Sequence, residues 1–137
     1  MRRLLISCAL CFGAGIAAAE AVAIVSAKRP ATTMSRAQVA DVFLGKANRF
    51  PDGEPVVPID QAEGSETRDE FYQAFANKNP SQLHAHWSKL IFTGRGLPPK
   101  AVKNGAEVKK LVAANPNAIG YIEADLVDAS VTVLLSR

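Results

Sequence analysis

The residues in this sequence best suited to chemistry run from Gly64 to Arg68: Gly64, Ser65, Glu66, Thr67 and Arg68. Two hydroxyls and a guanidinium are donors that suit an oxyanion, and the guanidinium adds charge-assisted bonds. A glycine beside them lets a ligand approach the backbone. The setting strengthens this reading. An apolar run at residues 56–60 precedes the loop, and helix signals follow it. The first-turn N–H groups of a helix lack intrahelical partners, and the helix dipole places partial positive charge there. Such a site takes phosphate, sulfate or carboxylate. The same residues also have plain structural uses. Ser65 or Thr67 can cap the helix, Gly64 can turn the chain, and Arg68 can sit in solvent. Glu63, Glu66 and Asp69 flank the loop and compete with an anion for the helix start.

The elements that must position this loop are legible around it. Residues 21–26 (AVAIVS) are apolar and β-branched, the pattern of a buried strand. Ser35 with Gln38 three residues on forms a capping box, and Val39, Val42 and Phe43 mark the buried face of the helix it opens. Gly45 ends that helix. Pro51-Asp52-Gly53 is a turn, and residues 56–60 (VVPID) are the next strand. Pro58 places it at a sheet edge or marks a strand end. A helix over residues 66–76 follows, with Phe71 and Phe75 one turn apart and Thr67 and Glu70 as its capping box.

Asn79-Pro80-Ser81-Gln82 starts a further helix, running to Phe92, with Leu83, Trp87, Leu90 and Ile91 on one face. Gly94, Gly96, Pro98 and Pro99 make a loop. Asn104 and Glu107 open a helix whose core face is Val108, Leu111 and Val112, and Asn115-Pro116 stops it. Residues 118–122 and 130–135 read as strands, with a helical turn at 124–127. Apolar strands interleaved with helices predict a single α/β layered domain.

The N-terminus speaks to compartment. Arg2 and Arg3, an apolar stretch over residues 4–16 and alanines at 17, 18 and 19 form the pattern of a secretory signal peptide. The stretch is shorter than the ~20 residues that span a bilayer. We therefore read residues 1–19 as a signal and residues 20–137 as the domain, periplasmic or secreted after cleavage, with no membrane span left. Cys8 and Cys11 are the only cysteines and both fall in the signal, so no disulfide or thiolate metal site is expected. The formal charge of +3 falls to +1 once Arg2 and Arg3 are removed, and no block of like charge occurs, which argues against nucleic acid as a partner.

Other reactive residues are set aside. His84 and His86 point to different sides of a helix and cannot chelate one ion together. Trp87 has core spacing. The segment Phe92-Thr93-Gly94-Arg95-Gly96 lacks the lysine and spacing of a P-loop. There is no nucleophile–base constellation, so the chain is read as a binding protein and not an enzyme, and no cofactor or metal is expected.

Four segments taken together, SRAQVADVFLG, the PDG turn before VVPID, EGSETRDEF and NPNAIGYIE, resemble the phosphate-binding component of phosphate ABC transporters. The resemblance covers nearly all of the chain after residue 20. It implies one lobe of a three-layer, periplasmic-binding-protein-like α/β fold, with a mixed or mostly parallel sheet of about four strands and helices on both faces. It also implies a ligand loop in which Gly64, Ser65 and Thr67 hold phosphate or a similar small oxyanion, to which the reading of the loop's own residues adds Arg68. The family's arginine ahead of this loop falls on Gln61, and its second glycine falls on Glu66. Family members close two lobes around the ion, so a single lobe implies completion by a second copy or another envelope protein. The competing reading is an envelope interaction module that kept the fold and lost the ligand.

Overall fold

The structure is a computed structural model and describes residues 20–134. The signal-peptide reading, with Cys8 and Cys11, lies outside these residues, as does residue 135 of the last expected strand.

The chain forms β1 (Ala21–Ser26), α1 (Arg36–Phe43), β2 (Val57–Gln61), α2 (Glu66–Ala76), α3 (Pro80–Phe92), β3 (Lys100–Val102), α4 (Gly105–Ala114), β4 (Ala118–Glu123), a 3-10 turn (Ala124–Leu126) and β5 (Val131–Val133). One five-stranded mixed sheet has the order β3-β2-β4-β1-β5. β2 runs parallel to both β3 and β4, while β1 runs antiparallel to both β4 and β5.

The strands are apolar on both faces because helices cover both. Ala21, Ala23 and Val25 of β1, with Ile119 and Tyr121 of β4, pack into one core with Val39, Val42 and Phe43 of α1, Phe71 and Tyr72 of α2, and Leu83 and Trp87 of α3. Ile24, Ile59, Ala118 and Ile122 face the other way, onto Val108 and Val112 of α4. That alternation in β1 and β4 is the strand period of two. Gly120 lets α4 sit against β4: a Cβ there would lie 2.5 Å from Cγ1 of Val108 and 3.0 Å from Cγ2 of Val112.

Helix starts follow the sequence closely. Ser35 and Gln38 form the expected capping box on α1, and Asn79 and Gln82 form the one on α3 behind Pro80. Asn104 accepts from the Glu107 N–H at the start of α4. Pro58 is not in an edge strand, since β2 has neighbours on both sides. It sits at the strand end, one residue before β3 begins to pair at Ile59. The missing N–H therefore falls where one side of β2 is still unpaired.

The sheet of about four strands is borne out, with one short outer strand added at Lys100–Val102. That strand is three residues long and mostly exposed, so it carries no apolar run to announce it. Two finer expectations need correction. The last strand is Val131–Val133, shorter than residues 130–135. Ile91, placed on the buried face of α3, is half exposed, and Phe92 is 93% exposed. The buried stripe of that helix ends at Trp87 and the partly buried Leu90.

Candidate functional site

The loop from β2 to α2 carries the residues singled out above. Gly64 has φ +89°, and nothing lies within 4 Å of where its Cβ would be, so backbone conformation and not crowding requires glycine there. Ser65 is the N-cap of α2. Its Oγ accepts from the Arg68 N–H at 3.2 Å and donates to Oε1 of Gln61 at 2.9 Å. The expected Thr67–Glu70 capping box does not form. Thr67 is the second residue of the helix, buried, and its hydroxyl donates to Oε1 of Glu123 at 2.5 Å. Glu70 instead accepts from the Ala21 N–H at 3.3 Å. Because the cap is two residues earlier than expected, Arg68 occupies the position where a capping-box acid would sit.

Behind the loop lies a buried polar cluster. Asp60 is the fourth residue of β2, and only 3% exposed. Its Oδ2 accepts from the Tyr72 hydroxyl at 2.5 Å. Its Oδ1 accepts from the Tyr121 hydroxyl and from the Gln61 N–H, the latter at 2.8 Å. Nε of Arg68 lies 3.6 Å from Oδ1, close enough for charge pairing and too far for a hydrogen bond. Gln61 is fully buried and donates from Nε2 to the Tyr121 carbonyl at 3.1 Å. Burial pushes both phenols far above their ordinary pKa of 10.0, and the charge of Asp60 and its hydrogen bonds push them further. Tyr72 and Tyr121 thus stay protonated and donate, which is what a buried carboxylate needs.

Arg68 connects this cluster to the surface. Its side chain is 13% exposed, its Cζ lies 5.4 Å from the Tyr72 ring centroid, and its guanidinium makes no hydrogen bond among the described residues. It lines a cleft of about 430 Å³ with Glu63, Gly64, Asp69, Pro80, Ser81 and His84. A second cavity of about 240 Å³ shares Glu63, Arg68, Pro80 and His84 and continues toward Trp87 and Ile91. The structure therefore divides the four expected ligand residues. Gly64 and Arg68 face the cleft, while the hydroxyls of Ser65 and Thr67 are engaged internally. In the first turn, the N–H of Arg68 is taken by Oγ of Ser65 and that of Asp69 by O of Ser65, leaving Glu66 and Thr67 as open donors.

Reading from sequence missed Asp60, Tyr72 and Tyr121 as a unit. The available signal was an aspartate closing an apolar strand, which needs buried donors if it points inward. Trp87 is a core residue, as its spacing implied, and Nε2 of His86 lies 2.8 Å from O of Leu44 while His84 lines the cleft. The two histidines are thus apart. Among the described residues no group of three or more His, Cys, Asp or Glu is placed to hold a metal ion, and no helix is long and apolar enough to cross a membrane.

No known family profile matches the chain, and no curated protein sequence does. Solved structures do match its fold. A candidate phosphate ABC transporter substrate-binding protein from Clostridium perfringens, crystallised with bound phosphate, is similar at TM-score 0.68 and 25% identity, over 85% of this chain and 44% of that one. An ABC-type phosphate transport receptor from Vibrio cholerae is similar at TM-score 0.66 and 18% identity, over 85% and 46%. The PstS protein from Borrelia burgdorferi is similar at TM-score 0.65 and 14% identity, over 86% and 47%. The chain spans less than half the length of each of these proteins. In fold, then, the chain is similar to one lobe of the substrate-binding proteins of phosphate ABC transporters.

Proposed function

We propose that this chain is an exported binding protein that takes a small oxyanion, phosphate foremost, at the N-terminus of α2. One observation carries the reading. In a chain with the fold of phosphate-binding proteins, the strand–loop–helix opens through Gly64 onto a cleft that Arg68 lines with an unbonded guanidinium. The anion meets the N–H groups of Glu66 and Thr67, the guanidinium of Arg68, and the hydroxyl of Ser65 if it exchanges Gln61 for the ligand. That exchange leaves Oε1 of the buried Gln61 without its donor, which costs about 1–3 kcal/mol and weakens binding. Glu63, Glu66 and Asp69 keep binding weak, because each carboxylate repels the ion it faces.

A second reading has its own support. The internal bonds of Ser65 and Thr67, and the buried glutamine at position 61, leave the polar groups satisfied without any ligand. This favours a domain that kept the fold and serves as a docking module in the envelope. Calorimetry on residues 20–137 with phosphate and with sulfate separates the two. Binding in the millimolar range or tighter, weakened about tenfold in Arg68→Gln, supports the oxyanion site. Absence of heat with either ion at millimolar concentration leaves the docking reading.

A further inference from the structure

We propose that the cleft beside α2 takes an organic phosphate or phosphonate that carries its own ammonium group. The inference rests on the oxyanion reading above and narrows it to a ligand class. Charge is the first argument. The cleft holds both signs: Arg68 lines it together with Glu63 and Asp69. Neither carboxylate forms an ion pair or side-chain hydrogen bond among the described residues, and the guanidinium, paired with the buried Asp60 at 3.6 Å, forms no hydrogen bond there. Asp69 lies in the first turn of α2, where the dipole favours an acid. Glu63 lies outside the helix, ahead of the cap, so the dipole does not account for it. A bare inorganic anion meets these carboxylates as repulsion. A ligand with a phosphate at one end and an ammonium at the other meets them as partners, and no charge in the cleft is left unmatched.

Size is the second argument. A volume of about 430 Å³ belongs to the range of organic ligands and far exceeds a tetrahedral ion. The adjoining cavity of about 240 Å³ extends it past Arg68 and His84 toward Leu83, Trp87 and Ile91. Ser81 and Ser88 add hydroxyls along that path. Trp87 is itself 6% exposed, with its indole N–H buried and unbonded among the described residues. A ligand two or three bonds longer than phosphate can meet both Arg68 and the carboxylates, which line the same groove.

The test is a titration of residues 20–137 with four probes: inorganic phosphate, ethyl phosphate, 2-aminoethyl phosphate and 2-aminoethylphosphonate. The two ammonium-bearing probes should bind about tenfold tighter than ethyl phosphate, and ethanolamine alone should not compete. In the double variant Glu63→Gln/Asp69→Asn that preference should collapse to near parity, while affinity for inorganic phosphate rises because two negative charges are gone. Both residues are on the cleft surface, and the probe comparison on the unaltered protein stands without the variant. Equal affinity for ethyl phosphate and 2-aminoethyl phosphate, with inorganic phosphate still bound, overturns this inference and leaves the oxyanion reading intact. Failure of all four probes overturns both.

Discussion

The two tyrosines on Asp60 should not be equivalent. Tyr72 donates to Oδ2, which has no other donor among the described residues. Tyr121 donates to Oδ1, which also receives the Gln61 N–H at 2.8 Å and faces Nε of Arg68 at 3.6 Å. A hydrogen bond to a charged group contributes about 1.5–3 kcal/mol, and an acceptor left bare in the interior loses the most. Tyr72→Phe should therefore cost about 2–3 kcal/mol, and Tyr121→Phe about 1–2 kcal/mol. Both substitutions keep the ring. Tyr121 stays stacked on Phe71 at 4.0 Å between centroids, and Tyr72 stays edge-on to Phe43 at 6.5 Å, so no cavity confuses the comparison. Urea unfolding by linear extrapolation gives the two values, with unchanged m confirming that only stability moved. The reasoning fails if Tyr121→Phe is the costlier change, or if both fall below about 0.5 kcal/mol.

Alkaline pH should expose the same cluster. Both phenols have folded pKa values above the unfolded 10.0, so above pH 10 the unfolded chain loses protons that the folded chain keeps. Stability then falls by about 1.4 kcal/mol per pH unit for each tyrosine, and Tyr72→Phe should halve that slope in unfolding curves taken between pH 10 and 12. Gly120→Ala should destabilise by about 1–3 kcal/mol, because its Cβ meets Val108 and Val112 at the α4 packing face; a thermal melt unchanged from the parent would contradict this. Arg29 is buried, donates to Asp52 at 2.6 Å, to Pro116 O at 3.1 Å and to Thr32 at 2.9 Å, and lies 3.4 Å from the Phe50 ring centroid. Arg29→Ala should cost about 2–4 kcal/mol, and hydrogen exchange should speed up around the turn at Gly53. Ser65→Ala removes the α2 cap and should cost about 1 kcal/mol in urea unfolding, whether or not an anion binds.

Local chemistry made most of the helices readable. Asn79 before Pro80, and Ser35 before Gln38, specify a helix start by their own hydrogen bonds, and each appears where expected. The α2 cap was misplaced because Ser65 and Thr67 are chemically interchangeable at an N-cap. Tertiary structure chose between them: Thr67 is drawn inward to Glu123 on β4, and Ser65 is left to cap. β3 was invisible for a similar reason. Its three residues form a strand because β2 offers an open side, not because of their own propensity. The candidate site was half legible. Gly64 and Arg68 line the cleft as their types suggest, but the sequence does not reveal that Gln61 would be buried against Ser65 and Tyr121. The Asp60 cluster joins residues from three distant elements, and no periodicity encodes such a meeting.

The position of β1 in the sheet has a kinetic consequence. Ala21 to Val25 pair only with β4 and β5, the last two strands of the chain, and Ala21 lies opposite Glu123. No partner exists for the first strand until nearly all of the domain has been synthesised. The largest loop closure must therefore precede the pairing of β1, a non-local contact of the kind that slows folding. Until then the apolar residues of β1 lack the two strands that flank them. Tethering β1 beside β4 by circular permutation should speed folding markedly while leaving the packed core as it is.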